Sequence, residues 1–343
     1  MVISQVGSCQ TPTRSHAAVP PSGRPAAQGL YDPKNEHDAC GIGMIANIKN
    51  RPSHEVVEKG LEILENLEHR GAVGADPLMG DGAGILVQTP HAFLARVLPF
   101  PLPEKHHYAA AMLFYPNTPG LRDRVADVVR ACLASEGLTL LGERVVPTDN
   151  SRLSAGVIAT QPVIEQMIIA RPDGLTLDEF ERKLLIARKV ISNTVYAQVP
   201  ESDSDNGFYV VSMSARTVVY KGMFLAYQLS PFYPDLGEPD FESAIALVHQ
   251  RFSTNTFPSW KLAHPYRMTT HNGEINTIRG NVNWMAARQA SVHSKYFGED
   301  IGKLWPISYE GQSDTACFDN ALEFLVRGGY PLPHAAMMLI PEA

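Results

Sequence analysis

A chain of 343 residues, 44% hydrophobic and 19% charged, can bury a large core, and none of its stretches reaches the run of about 18 to 20 apolar residues that a membrane span needs. Its net charge of −7 offers no general basic surface, which argues against a nucleic-acid partner. The four cysteines, Cys9, Cys40, Cys132 and Cys317, lie far apart without a CxxC pair, which argues against a zinc site or a disulfide framework and fits a reducing cytoplasm.

Residues 1–30 are rich in Ser, Thr, Pro, Ala, Gly and Gln, without helical or alternating periodicity, and read as a poorly ordered leader. The leader lacks the apolar core of a secretory signal, whereas Arg14 and Arg24, with no acidic residue before Asp32, remain compatible with an organelle transit peptide. At Cys40 the texture changes to the apolar, β-compatible run Cys40–Ile48, so a buried strand is expected to begin at Cys40. After Pro52, the spacing of Val57, Leu61, Leu64 and Glu68 predicts an amphipathic helix that stops at Arg70-Gly71.

Further strands are predicted at 84–89, 107–115, 163–171 and 207–213, the last forming a hairpin with 217–221 across Ser214-Ala215-Arg216. A helix over about 121–134 places Leu121, Val125, Val128 and Cys132 on one face. Thr176-Leu177-Asp178-Glu179 is a capping box opening another, with inner face Phe180, Leu184, Ala187 and Ile191. Glu201–Asp205 reads as a solvated turn and Pro231–Pro239 as a Pro-rich loop before a strand at 243–249. The chain stops at Ile340-Pro341-Glu342-Ala343, directly after an apolar run, as a fragment of a longer polypeptide would.

Cys40 is the candidate nucleophile, because a thiol attacks readily once a base removes its proton and donors hold the resulting oxyanion. One of the 12 histidines could serve as that base. So could the α-amine of Cys40 itself, whose free pKa of about 7.7 to 8 suits proton transfer, provided that Cys40 is the first residue of the chain. A cysteine opening a strand is also an ordinary core residue. Three later segments carry the same double reading. Arg251, in His249–Trp260, matches a carboxylate bidentately or closes a surface ion pair. Asn272-Gly273 is a positive-φ turn or a pair of oxyanion donors, with His271 a core or turn histidine. Ser313 or Asp314 caps the helix carrying Phe318, Ala321, Leu322 and Leu325, and an Asp there can also bind an ammonium. Gly80–Gly84 lacks the Lys-Ser/Thr of a phosphate loop and precedes a strand, so it is assigned to backbone shaping.

Taken together and in this order, Cys40-Gly-Ile-Gly43, Leu67-Glu-His-Arg-Gly71, Arg251-Phe-Ser-Thr254, His271-Asn-Gly273 and Ser313-Asp-Thr315 resemble the class II glutamine amidotransferases of the N-terminal nucleophile hydrolase superfamily. His69–Asp76, Gly80–Gly84, His249–Trp260 and Asn272–Asn276, with Gly280-Asn281 and Asn283-Trp284, are similar to the branch of that family found in glutamate synthase large subunits. The similarity covers roughly residues 31–343. The resemblance implies an α+β fold, a four-layer αββα sandwich, with residues 1–39 as a propeptide removed on maturation and 40–343 as the amidotransferase domain. It implies Cys40 as nucleophile with its own amine as base, Asn272 and Gly273 as oxyanion hole, Arg251 for the α-carboxylate of L-glutamine, Asp314 for its α-ammonium, and Thr254 near the carboxylate. It also implies partners: synthase domains of the same polypeptide, which hold FMN and an iron–sulfur cluster, and an electron-donating subunit or ferredoxin. No cofactor or metal is expected within these 343 residues.

Overall fold

The computed structural model describes residues 27–29, 41–74, 76–204, 207–252, 257–273, 275–308 and 312–340, so Cys40, Thr254 and nearly all of the leader lie outside the described residues. Contacts divide the chain into two compact units, Met1–Ala39 and Cys40–Ala343. The second holds β1 (Ile42–Ala46), α1 (His54–Asn66), β2 (Ala83–Gln88), α2 (His91–Val97), β3 (Tyr108–Tyr115), α3 (Pro119–Ser135), β4 (Leu140–Val145), α4 (Ala155–Ala159) and β5 (Val163–Ala170). These are followed by α5 (Leu177–Gln198), β6 (Tyr209–Ser214), β7 (Thr217–Gly222), α6 (Leu229–Phe232), β8 (Ile245–Gln250), α7 (Ile278–Arg288), α8 (Asp314–Arg327) and α9 (Leu332–Leu339). Among the described residues the strands form two four-stranded antiparallel sheets, β1-β8-β2-β7 and β4-β5-β3-β6.

The composition of β3 explains the layering. Successive side chains of a strand point to opposite faces, and β3 is apolar at every position because both of its faces are covered. Tyr108, Ala110, Met112 and Phe114 share a core with Ile85, Val87 and Val218 of the first sheet and with Val57, Leu61 and Leu64 of α1. Ala109, Ala111, Leu113 and Tyr115 pack instead with Val125, Val129 and Leu133 of α3 and Leu184, Ala187 and Ile191 of α5. Stacked layers of sheet and helix result, as the resemblance implies. A third core joins α7, α8 and α9 to the far side of α5 through Leu185 and Ile186. The capping box of α5 is present in full: Thr176 donates its backbone N–H to Glu179 Oε2 at 2.8 Å, and Glu179 donates its own to Thr176 Oγ1 at 3.3 Å.

Three expectations are corrected. Cys40, where the first strand is expected to begin, lies outside the described residues; the strand runs over Ile42–Ala46 and is not buried throughout. It forms an edge of its sheet, with Met44 63% exposed, while a Cβ at Gly43 would lie 2.1 Å from Ile63 of α1. Residues 207–221 do not form a hairpin ladder, since β6 edges one sheet and β7 the other. Side chains satisfy the backbone at that corner: Ala215 donates to Glu181 Oε1 at 2.8 Å, Arg216 to Ser214 Oγ at 2.9 Å and Val219 to Ser212 Oγ at 3.2 Å. The Pro-rich stretch also holds helical turns, α6 and a 3₁₀ turn at Pro234–Gly237, around the buried Phe232, Tyr233 and Leu236.

The helix glycine Gly60 tests the α1 contact. Alanine normally favours a helix interior over glycine by about 1 kcal/mol. Here the added Cβ would lie 2.6 Å from the Ala246 Cβ on β8. Gly60→Ala is therefore expected to lower the unfolding free energy by about 1–2 kcal/mol in urea denaturation; an unchanged or raised midpoint would show that α1 shifts at no cost.

Candidate active site

β8 lies between β1 and β2, and its C-terminal end is where the sequence motifs meet. His249 stands opposite Ile42 on one side and Gly84 on the other. Gln250 donates its backbone N–H to the Gly41 carbonyl at 2.7 Å, Arg251 to the Gly82 carbonyl at 2.8 Å, and Ala72 to the Arg251 carbonyl at 3.3 Å. Glycine is what allows these approaches. A Cβ at Gly41 would lie 2.4 Å from the Gln250 carbonyl oxygen, one at Gly71 2.2 Å from the Gln250 side chain, and one at Gly84 2.4 Å from the His264 carbonyl oxygen. The assignment of Gly80–Gly84 to backbone shaping holds, since these glycines admit the chain at Phe224, Ala263 and His264.

Asn272 reaches this strand end from the following loop. The position a Gly41 Cβ would take lies 3.3 Å from Asn272 Oδ1 and 3.4 Å from its Nδ2, so the amide sits against the residue after Cys40. Gly273 has φ +86° with open space around it, so backbone conformation, not crowding, calls for glycine there. His249 Nε2 lies 2.7 Å from Asn272 Oδ1 and 3.1 Å from the His271 carbonyl oxygen. His271 meets His249 through its backbone carbonyl and not through its ring. The His249 ring is buried and stacks on His264, centroids 4.4 Å apart. Burial pulls the His249 pKa from 6.5 down to about 4, opposed by its bonds to Asn272 and His271 and assisted by the Arg251 charge.

Arg251 is buried, and desolvation lowers its pKa while Tyr266, Asp81 and Asp314 act against that shift. Arg251 and Asp314 therefore belong to one electrostatic environment. Ser313, rather than Asp314, caps α8, accepting the Ala316 N–H at 3.2 Å and meeting the Tyr266 hydroxyl at 3.1 Å. Asp314 accepts the Ile275 N–H at 2.9 Å and the Thr315 N–H at 2.6 Å, so it also ties the Asn272-Gly273 loop to α8. A carboxylate offers about four lone-pair sites, which leaves capacity for a ligand ammonium. Asn272, Gly273, Arg251 and Asp314 thus converge on one end of β8, whereas Cys40 and Thr254 lie outside the described residues.

Sequence reasoning passed over His249, Asp81, Tyr266 and Asp319, all of them buried polar side chains. The one available signal was position: His249 stands two residues before Arg251 at the end of a predicted strand. Trp260, in the same motif, is a core residue that meets Phe114 and Phe224 edge to face. Among the described residues no group of three or more His, Cys, Asp or Glu could hold a metal ion, and no helix is long and apolar enough to cross a membrane.

Comparison with known proteins shows the family. The family model of the class-II glutamine amidotransferases matches residues 40–343. The chain is 44% identical over 320 residues to the glutamate synthase [NADPH] large chain of Bacillus subtilis, covering 93% of this chain and 21% of that protein. It is 42% identical over 312 residues to ferredoxin-dependent glutamate synthase 2 of a Synechocystis species, covering 90% and 20%. To glutamate synthase [NADH] of Saccharomyces cerevisiae it is 40% identical over 333 residues, covering 93% and 15%. The chain thus spans about a fifth or less of the length of these relatives.

The depressed pKa of His249 couples stability to pH. Unfolded, the ring takes up a proton near pH 6.5, and folded only near 4. Its contribution is therefore whole above about pH 6.5 and is lost progressively as the pH falls toward 4. The stability lost between pH 7.5 and 4.5, read from urea unfolding, should be smaller by about 2–3 kcal/mol in His249→Phe than in the unaltered chain. Equal losses would mean that the buried ring accepts a proton freely.

Proposed function

The chain belongs to the class II glutamine amidotransferases, and from that membership we propose that it carries out the glutaminase half-reaction of a glutamate synthase, converting L-glutamine to L-glutamate and ammonia. The observation that carries the reading is the Asn272 amide lying against Gly41, which puts a hydrogen-bond donor beside the residue that follows the proposed nucleophile.

In this mechanism residues 1–39 are removed and Cys40 becomes the first residue. Its α-amine takes the thiol proton, and the thiolate adds to the side-chain amide carbon of glutamine. The oxyanion accepts hydrogen bonds from the Asn272 side chain and the Gly273 N–H. The amine then passes its proton to the leaving nitrogen, the C–N bond breaks, and ammonia departs from a glutamyl thioester. Water, deprotonated by the same amine, adds to the thioester, and glutamate leaves as the thiol regains a proton. Arg251 pairs with the α-carboxylate, Thr254 adds a hydroxyl at that end, and Asp314 pairs with the α-ammonium. Supporting the boundary at residue 40, the family match begins there and the second compact unit has the same first residue.

Ammonia would pass to synthase domains of a longer polypeptide, where FMN and an iron–sulfur cluster supply the reducing chemistry that turns 2-oxoglutarate into a second glutamate. A partner subunit or ferredoxin supplies the electrons, and the whole works in the cytoplasm.

The active chain is expected to start at Cys40 by intact mass, with Cys40→Ala abolishing ammonia release. Full turnover by a chain still carrying Ala39 would sink the α-amine mechanism. For the substrate contacts, Arg251→Lys and Asp314→Asn should each raise KM for glutamine by about 10- to 100-fold, the loss of one charged hydrogen bond. Unchanged KM in both variants, with folding intact by circular dichroism, would remove these residues from the glutamine site.

A further inference from the structure

We infer that His249 is a positioning residue for the oxyanion donor: its Nε2–H fixes the Asn272 side-chain amide in the orientation that directs an N–H, not a carbonyl oxygen, at the reacting atom. This rests on the reading of Asn272 as an oxyanion donor.

The two ends of an asparagine amide are nearly identical in size, so packing alone does not choose between its two orientations; hydrogen bonding does. The choice starts from a backbone group. His249 Nε2 lies 3.1 Å from the His271 carbonyl oxygen, which can only accept, so Nε2 must carry the proton. With its proton there, Nε2 can approach Asn272 at 2.7 Å only if the facing atom is Oδ1. The NH2 group is then necessarily the other end of the amide. One carbonyl therefore sets the imidazole tautomer, and the tautomer sets the amide. Reversed, the amide would turn a lone pair toward a developing negative charge, and catalysis would lose the preorganised donor.

His249 is well placed to hold this setting. Its backbone is fixed between Ile42 and Gly84 in the middle of the sheet, and its ring is clamped on His264, with 29° between the planes. Asn272 itself is exposed, and the bond from His249 restricts the rotamers its side chain can take. Among the described residues Nδ1 has no hydrogen-bond partner, as expected of the unprotonated nitrogen in the Nε2–H tautomer. The same arrangement removes His249 as a rival base for Cys40. Its Nε2 lone pair does not exist in this tautomer, and desolvation keeps the ring a poor proton acceptor.

The test uses the full chain, with its N-terminal residue determined, and follows ammonia release from glutamine. His249→Phe, which keeps a stacking ring and loses the donor, should lower kcat by about 10- to 100-fold with KM within about twofold. His249→Gln, which restores an N–H donor, should recover most of that loss. Asn272→Ala should lose about 10²- to 10³-fold in kcat. Adding His249→Phe to it should then cost no more than about a further twofold, because the group His249 positions is gone. Losses that multiply in the double variant, or a wild-type kcat in a folded His249→Phe, overturn the inference. A wild-type kcat in Asn272→Ala would instead overturn the oxyanion reading on which it rests. Independently of any variant, the nitrogen-15 spectrum of histidine-labelled chain should show His249 neutral and protonated at Nε2 at pH 7; an Nδ1–H tautomer overturns the inference.

Discussion

The segment from Phe257 to Gly273 carries Asn272 and Gly273, yet it has no strand ladder and only one short 3₁₀ turn, Trp260–Leu262. Buried backbone groups must find partners, and here side chains from three other elements supply them. Lys221 of β7 donates to the carbonyls of Lys261 at 3.0 Å and Ala263 at 2.7 Å. Asp319 of α8 accepts the N–H groups of Met268 at 2.7 Å and Thr269 at 3.1 Å. His249 of β8 holds the end of the segment through the His271 carbonyl. Without these side chains the loop would leave its polar groups unpaired in the interior.

Those anchors are costly groups to bury, and they compensate one another. Arg267 lies between Asp319, at 2.9 Å, and Glu323, at 3.3 Å, and Glu323 also pairs with Arg188 of α5. Desolvation drives the Lys221 pKa well below its ordinary value, with Arg267 adding to the shift and Asp319 opposing it. A buried pair of this kind adds little net stability over an apolar replacement, but removing one partner strands a charge. The network therefore specifies one position for the loop, and with it the position of Asn272 relative to the end of β8. Rigidity at that point matters for any oxyanion donor, whose contribution depends on being aimed before the charge develops.

Glycine does the complementary task of letting chains approach. Gly41, Gly71, Gly82 and Gly84 each face a neighbouring segment at a distance that a Cβ would not permit, so the sheet end, the Gly80–Gly84 turn and the 260s segment close around His249–Arg251. The motifs that stood out in the sequence are largely these crossing points. Their glycines and small polar residues interrupt otherwise apolar runs, which made them visible, and they cluster in space because each accommodates another.

The sequence by itself determined the elements whose signal is periodic or local: the capping box at Thr176, the inner face Phe180, Leu184, Ala187 and Ile191, the strand over β3, and the ordered series of motifs from Cys40 to Asp314. It could not decide which sheet a strand joins. The stretch across Ser214-Ala215-Arg216 has hairpin chemistry, but Glu181 and the serines satisfy its backbone from the side and send β7 to the other sheet. Strand β4 gave no clear pattern, because it is a half-buried edge strand with an irregular register. Nor could the sequence tell that His249 addresses Asn272, or that Asp314 leaves the cap to Ser313 and holds Ile275. Periodicity and capping are written in neighbouring residues; the partner of a buried polar group is set by which distant backbone the fold brings to it.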